Sequence, residues 1–268
     1  MSRARYFLVR TLQTVAMLFL ILTFLFFFFR LMPGNFADIM TFQGVTGEQL
    51  AAFEEKWGLN DPLYVQYVDY LVNFATGDVG TSLRLREPVW DVVKVKLFNS
   101  FILIAPGITL GYIIGSSLGT YLGTNRGTLS ERVGVIGSIF LGTMPIFFLA
   151  IVLLMIFSGW LDWLPSSGMI SAVNASQFEN SPWYARYLSA DFALHYILPF
   201  SAVVIRYINL PALIMRTSVV EVLGQDFVYY HRVTGLPHLR QVKHIAKHAS
   251  LPVITVYPIS MARAIGGL

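Results

Sequence analysis

The sequence has no cysteine, which excludes a disulfide framework and any thiolate metal site. It is also poor in charge: Asp, Glu, Lys and Arg make up 13% of 268 residues, against roughly 25% in soluble domains. That scarcity argues against a water-soluble enzyme. No phosphate-binding Gly-x-x-x-x-Gly-Lys-Ser/Thr loop is present, because none of Lys56, Lys94, Lys96, Lys243 and Lys247 follows a glycine. Acids are missing from every long apolar run. A proton or sodium relay through the membrane normally uses them, so ion-coupled secondary transport is the weaker alternative among transport functions.

What the chain does have is uninterrupted apolar sequence. Uncharged stretches cover 11–29, 97–125, 133–161, 192–205, 207–215 and 249–262, and about 20 apolar residues cross a bilayer. Five spans are expected, at 11–32, 99–124, 133–161, 193–215 and 251–268. Arg206 and Arg263 each place one cation inside a span. Arg3, Arg5 and Arg10 before the first run imitate a signal peptide, but no Ala-x-Ala-like site follows, so the run is read as a retained span. Lys and Arg are concentrated in 1–10, 126–132 and 216–248 and diluted in 30–96 and 162–191. Basic loops stay in the cytoplasm, so residues 1–10 form a cytoplasmic N-terminus, 33–98 an extracytoplasmic helical region and 99–268 the membrane core.

In the outer region Thr46 suits the cap of a helix over Glu48–Trp57 ended by Gly58. Asn60 or Asp61 then caps a second helix with Pro62 at its start and Gly77 at its end. Tyr64, Tyr67, Tyr70 and Phe74 lie at helical spacing, as in a helix at the membrane interface. In the second span Gly111, Gly115, Gly119 and Gly123 recur every four residues and mark one helix face for close packing. The embedded Gly115-Ser116-Ser117-Leu118-Gly119 matches a serine-nucleophile pattern in form only. That chemistry needs a strand-to-helix elbow and a histidine base, whereas these residues lie in a continuous apolar helix, with His195 near the opposite end of another span.

The inner loop opens at Arg216 with a helix expected to run to Thr234, Gly235 suits its C-cap, and Pro237 suits the first turn of the next helix. Leu239, Val242, Ile245 and Ala249 form an apolar stripe there, while Arg240, Lys243 and Lys247 face elsewhere. Composition alone also fits a basic segment drawn to anionic lipid. Yet Asp226-Phe227-Val228, Arg232, Gly235-Leu236 and Leu251-Pro252-Val253-Ile254 resemble the EAA loop of ABC importer permeases of the dipeptide, oligopeptide and nickel class. Arg30-Leu31-Met32-Pro33-Gly34, the stretch from Gly58 to Tyr67, Gly77 to Leu83 and Gly159 to Pro165 are similar to further elements of that class, in order over the whole chain.

The resemblance implies an all-α, polytopic transmembrane bundle of the type I importer kind, in a prokaryotic inner membrane, forming half of an alternating-access path for peptides or similar small solutes. It implies a coupling loop at 216–250, with Glu221, Asp226, Arg232, Gly235, Leu236 and Pro237 meeting an ATPase. The implied partners are a second, homologous permease, two ATPase subunits that bind the ATP and Mg²⁺, and an extracytoplasmic substrate-binding protein, with no nucleic acid. No catalytic residue, cofactor or metal is expected in this chain.

Two departures follow. Tyr229, Tyr230, His231 and Val233 stand where the family usually has small residues, so the knob is bulkier. Similar permeases also have a sixth span, so a further one is expected after Leu268. His244 and His248 share a helix face, but two imidazoles are too few for a zinc site and are read as solvated or partner-facing. Arg206 and Arg263 fall near mid-membrane. They either bond to carbonyls or a partner's acid, or line the translocation path and attract a peptide carboxylate. Cations in that path would repel bare Ni²⁺.

Overall fold

The computed structural model describes residues 3–31, 47, 51, 58, 60–82, 85, 87–178 and 181–265. They form two compact units, Met1–Val93 and Lys94–Leu268. Among the described residues secondary structure is helical, apart from an isolated bridge between Thr81 and Pro88.

In the first unit, α1 runs over Arg3–Leu31 and is long and apolar enough to cross a membrane. Helix α2 is Leu63–Thr76. Pro62 precedes it, where a missing N–H is harmless, and Gly77 ends it at φ +82°, donating its N–H to the Phe74 carbonyl at 3.2 Å. Part of the aromatic stripe faces α1 rather than solvent. Tyr67 and Tyr70 lie 5.3 and 5.5 Å from the Phe26 ring, and the Tyr67 hydroxyl is 2.7 Å from Thr23 Oγ1, while Tyr64 is exposed. The helix expected over Glu48–Trp57, with its Thr46 cap, lies outside the described residues apart from Ala51, as does Met32-Pro33-Gly34.

The longer helices that follow are α3 (Val89–Thr124), α4 (Leu129–Thr143), α5 (Ile146–Leu154, prolonged by a π-helical turn over Met155–Trp160), α6 (Ala190–Leu223), α7 (Asp226–Val233), α8 (His238–Ala249) and α9 (Leu251–Ile265), with short helical turns between Ala172 and Leu188. Helices α3 and α6 are each long and apolar enough to cross a membrane. The stretch 133–161, read from its charge gap as one span, is instead two helices bent by 98°. Pro145 causes the break: it has no N–H for the helical ladder and holds Met144 in extended backbone, ψ 133°.

Helix α6 has 34 residues, about 51 Å at 1.5 Å per residue, so it outruns a hydrocarbon layer of about 30 Å. It therefore carries the chain from span to inner loop without a joint. The loop helix expected to continue to Thr234 breaks at Gly224-Gln225 and restarts as α7. One buried core crosses this break. Ile104, Ile108 and Tyr112 of α3, Val203, Met215, Val219 and Val222 of α6, Val228 of α7, Ile245 and Ala249 of α8, and Val253 of α9 all belong to it. Helix α9 is tied to α3 by Tyr112 Oη to Ser260 Oγ at 2.5 Å and Thr109 Oγ1 to Tyr257 Oη at 2.8 Å. Large apolar side chains such as Ile113, Ile136, Phe140, Phe147 and Ile151 remain exposed, as lipid-facing surface requires.

Candidate functional site

The glycine ladder decides how α6 is rotated. A Cβ at Gly111 would lie 2.9 Å from the Val204 carbonyl oxygen, one at Gly115 2.6 Å from Pro211 Cγ, one at Gly119 2.7 Å from Met215 Cβ, and one at Gly123 2.6 Å from Val219 Cγ1. All four glycines face α6, and no side chain fits between the two backbones. Gly107 extends the ladder by a turn against Val203. It obeys the same four-residue period as Gly111 to Gly123.

This rotation presents two arginines of α6 to different surroundings. Arg206 is exposed and has no acid beside it among the described residues. Three residues on, the Asn209 side chain covers Gly142 of α4, and its Oδ1 is buried with no hydrogen-bond partner. Arg263 stands on α9, but its side chain lies outside the described residues.

Arg216 is held instead. Its Nε donates to Glu131 Oε1 at 2.9 Å, and its Nη2 donates to the same oxygen. The second carboxylate oxygen accepts the Gly127 N–H at 2.6 Å. Thr128 caps α4 by accepting the Glu131 N–H at 3.3 Å, so Thr128-x-x-Glu131 has the residues of a capping box. The Gly127 N–H first, and then the Arg216 guanidinium, keep the Glu131 carboxyl below the usual carboxylate range. Glu131 was not singled out from sequence. The capping-box spacing is visible there, but its partner 85 residues away is not.

At the N-terminal end of α6, Asp191 Oδ2 accepts the Ser171 N–H at 2.7 Å and the Ser171 hydroxyl at 2.9 Å. Chiefly through that backbone N–H, the Asp191 carboxyl is held low. A cavity of about 150 Å³ lies beside this clamp, lined by Asn99, Met169, His195 and Tyr196 among others.

The inner loop is a two-helix knob. Val228, Ile245 and Ala249 are buried beneath it, and the turn between its helices is fixed by backbone bonds. Gly235 takes φ +69°, its N–H donates to the Arg232 carbonyl at 3.2 Å, and the Leu236 N–H donates to the His231 carbonyl at 3.0 Å, the pair of bonds that closes a Schellman cap. Pro237 then precedes α8. Glu221, Asp226, Arg232, Gly235 and Pro237 are exposed and Leu236 is half-buried. Tyr229, Tyr230 and Val233 expose about two-thirds or more of their surface, and Leu239 of the apolar stripe is 81% exposed. The stripe is buried only from Ile245 onward, with Val242 half-covered. His231, separated from the α8 histidines in sequence, meets His244 with 3.5 Å between Nε2 and Nδ1. Among the described residues no group of three His, Cys, Asp or Glu is placed to hold a metal.

Comparison with known proteins agrees with this architecture. Residues 107–268 match the family described as binding-protein-dependent transport system inner membrane component, and residues 3–102 match its N-terminal counterpart. The chain is 30% identical to the probable peptide ABC transporter permease protein y4tP of Sinorhizobium fredii, over 98% of this chain and 80% of that one. It is 33% identical to the oligopeptide transport system permease protein OppB of Salmonella typhimurium, over 94% and 76%. It is 27% identical to the glutathione transport system permease protein GsiC of the same species, over 98% and 79%. Since the family match spans more than half of the sequence, the chain belongs to the inner membrane components of binding-protein-dependent transport systems and is a permease subunit of an ABC importer, not an ion-coupled secondary transporter.

Proposed function

We propose that this chain forms half of an alternating-access pathway for peptides or similar small solutes, with a second permease of like fold as the other half. Two separate ATPase subunits bind ATP and Mg²⁺, and an extracytoplasmic binding protein delivers the substrate. The N-terminus is cytoplasmic, a reading supported by the distribution of Lys and Arg.

The knob carries this reading. Its tip exposes Tyr229, Tyr230, Val233 and Leu239, an apolar surface rimmed by the charges of Asp226, Arg232 and Arg240. Such a patch at the end of a soluble loop marks a protein contact. The fixed Gly235 turn and the core shared with α6 let a push on the tip move the helix that enters the membrane. ATPase closure would thus act through residues 216–250.

The peptide cargo is supported by the names of the relatives and by Arg206. A lone arginine at mid-span costs about 2.5–3.5 kcal/mol on insertion scales, and a guanidinium recognises a carboxylate through two parallel hydrogen bonds. Arg263 is the companion candidate.

Gly235→Val tests the coupling role. Nothing lies within 4 Å of a Cβ at this position, so the variant meets no clash and its effect comes from the left-handed backbone, about 1–2 kcal/mol. Substrate-stimulated ATPase activity of the reconstituted complex should fall while assembly persists. Unchanged stimulation sinks the assignment.

A further inference from the structure

We propose that the Glu131–Arg216 pair is the joint that carries movement of the inner loop into the α3–α4 turn, making both residues positioning residues of the transport cycle. The inference rests on reading 216–250 as the ATPase contact, and names the element to which that loop transmits its motion.

Arg216 is gripped on two sides. Its backbone lies under the glycine ladder: a Cβ at Gly119 would be 3.0 Å from the Arg216 nitrogen, and one at Gly123 3.0 Å from its carbonyl oxygen. Its side chain reaches Glu131, whose side chain is 7% exposed against 32% for Arg216. The carboxylate in turn accepts the Gly127 N–H, and Thr128 Oγ1 donates to the Asn125 carbonyl at 2.7 Å. One buried carboxylate therefore fastens the whole 125–131 turn to α6.

The position of the pair gives it its role. Helix α6 is unbroken from Ala190 to Leu223, and Val222, Val228, Ile245 and Ala249 share one core, so the knob and the inner end of α6 move together. Any displacement must either take the 125–131 turn along or tear Arg216 from Glu131. Tearing leaves a buried carboxylate without its cation, which is strongly unfavourable. The turn therefore follows, and with it the inner end of α4, whose outer end meets α5 at the 98° bend. For stability alone an apolar pair would serve as well; a charged pair with several bonds fixes direction.

The test uses the full transporter reconstituted in lipid, with Glu131→Gln, Arg216→Gln and Arg216→Lys. Because the chain lacks cysteine, Leu129→Cys and Lys243→Cys, in a complex whose other subunits are made cysteine-free, provide spin-label sites on the turn and on the knob away from its tip, both exposed. In the parent, the distance between the labels should stay narrow and constant between nucleotide-free and ATP-bound states. In Glu131→Gln and Arg216→Gln it should broaden or change with nucleotide. Substrate stimulation of ATPase should fall by about threefold or more, the range for residues of a coupling network, and Arg216→Lys should recover part of it.

A purely structural role predicts less complex recovered but normal stimulation and an unchanged distance in what assembles, and that result overturns the proposal. Uncoupling with an unchanged label distance overturns it as well. Gly235→Val is measured beside these variants. If it uncouples and the Glu131 variant does not, the loop reading stands and the joint is wrong. If neither uncouples, both are wrong.

Discussion

Two arginines ten residues apart on α6 have opposite surroundings. Arg216, near the C-terminal end of α6, has its guanidinium on a buried carboxylate. Arg206, about 15 Å further in, is exposed with no acid beside it among the described residues. The residue type is the same, so the difference comes from the neighbouring helices. A helix start can offer an acid, because Glu131 finds an N–H to accept and a cap to complete. Three residues beyond Arg206, Asn209 covers Gly142 of α4, and no described acid stands beside Arg206. Such a cation, exposed and with no acid beside it among the described residues, is the one the proposed carboxylate role requires.

The α3–α6 seam sets this contrast, so filling it should have the largest effect. Leucine at Gly119 would drive a side chain into Met215 and the Arg216 backbone. Overpacking costs about 1–3 kcal/mol where the surroundings can yield, and a backbone yields little. Gly119→Leu should turn both arginines from their places and prevent recovery of folded complex from detergent. Gly137→Leu, where a Cβ meets nothing within 4 Å, should be recovered as the parent is. Normal recovery of Gly119→Leu would mean that the seam does not set the rotation of α6.

How much of this was legible beforehand varied with sequence distance. The charge gaps marked the membrane segments, the four-residue period of Gly111 to Gly123 marked the seam, and Gly235 with Pro237 marked the turn, because each pattern is local. The bend at Met144-Pro145 was equally local, but a 29-residue uncharged stretch satisfied the length of a span and hid it. The Glu131–Arg216 and His231–His244 contacts depend on packing between helices. For Arg206, sequence set the depth, and only the rotation imposed by the glycines set the side from which it is reached.

A smaller, sharper test separates the two arginines by cargo. If Arg206 meets a peptide carboxylate, Arg206→Gln should reduce the preference for a free C-terminal acid over its amide by about tenfold, the value of one charge-assisted hydrogen bond. Stability should hold, since Arg206 is exposed and has no acid beside it among the described residues. Arg216→Gln should do the reverse: destabilise and uncouple, with the acid-to-amide ratio unchanged. Equal treatment of acid and amide by parent and Arg206→Gln would refute the carboxylate role and leave a partner permease as the explanation.

The smallest effect expected near neutrality concerns pH, and its sign follows from the clamp. The Gly127 N–H and the Arg216 guanidinium depress the Glu131 carboxyl in the folded state, while in the unfolded chain it titrates near an ordinary glutamate, about 4.3. A depressed carboxyl contributes stability that is complete above the unfolded value and is lost as pH falls toward the folded one. Asp191 shifts in the same direction at the N-terminal end of α6, so both ends of the helix loosen on acidification and neither does so between about pH 6 and 8. Thermal unfolding of the detergent-solubilised complex should therefore show a parent minus Glu131→Gln difference in Tm that is flat across that range and shrinks below about pH 4.5. Because glutamine cannot be recharged, the variant should itself respond less to acid. A difference that instead grew on acidification would mean that Glu131 is bound as a neutral acid, and that the Arg216 guanidinium does not hold it charged.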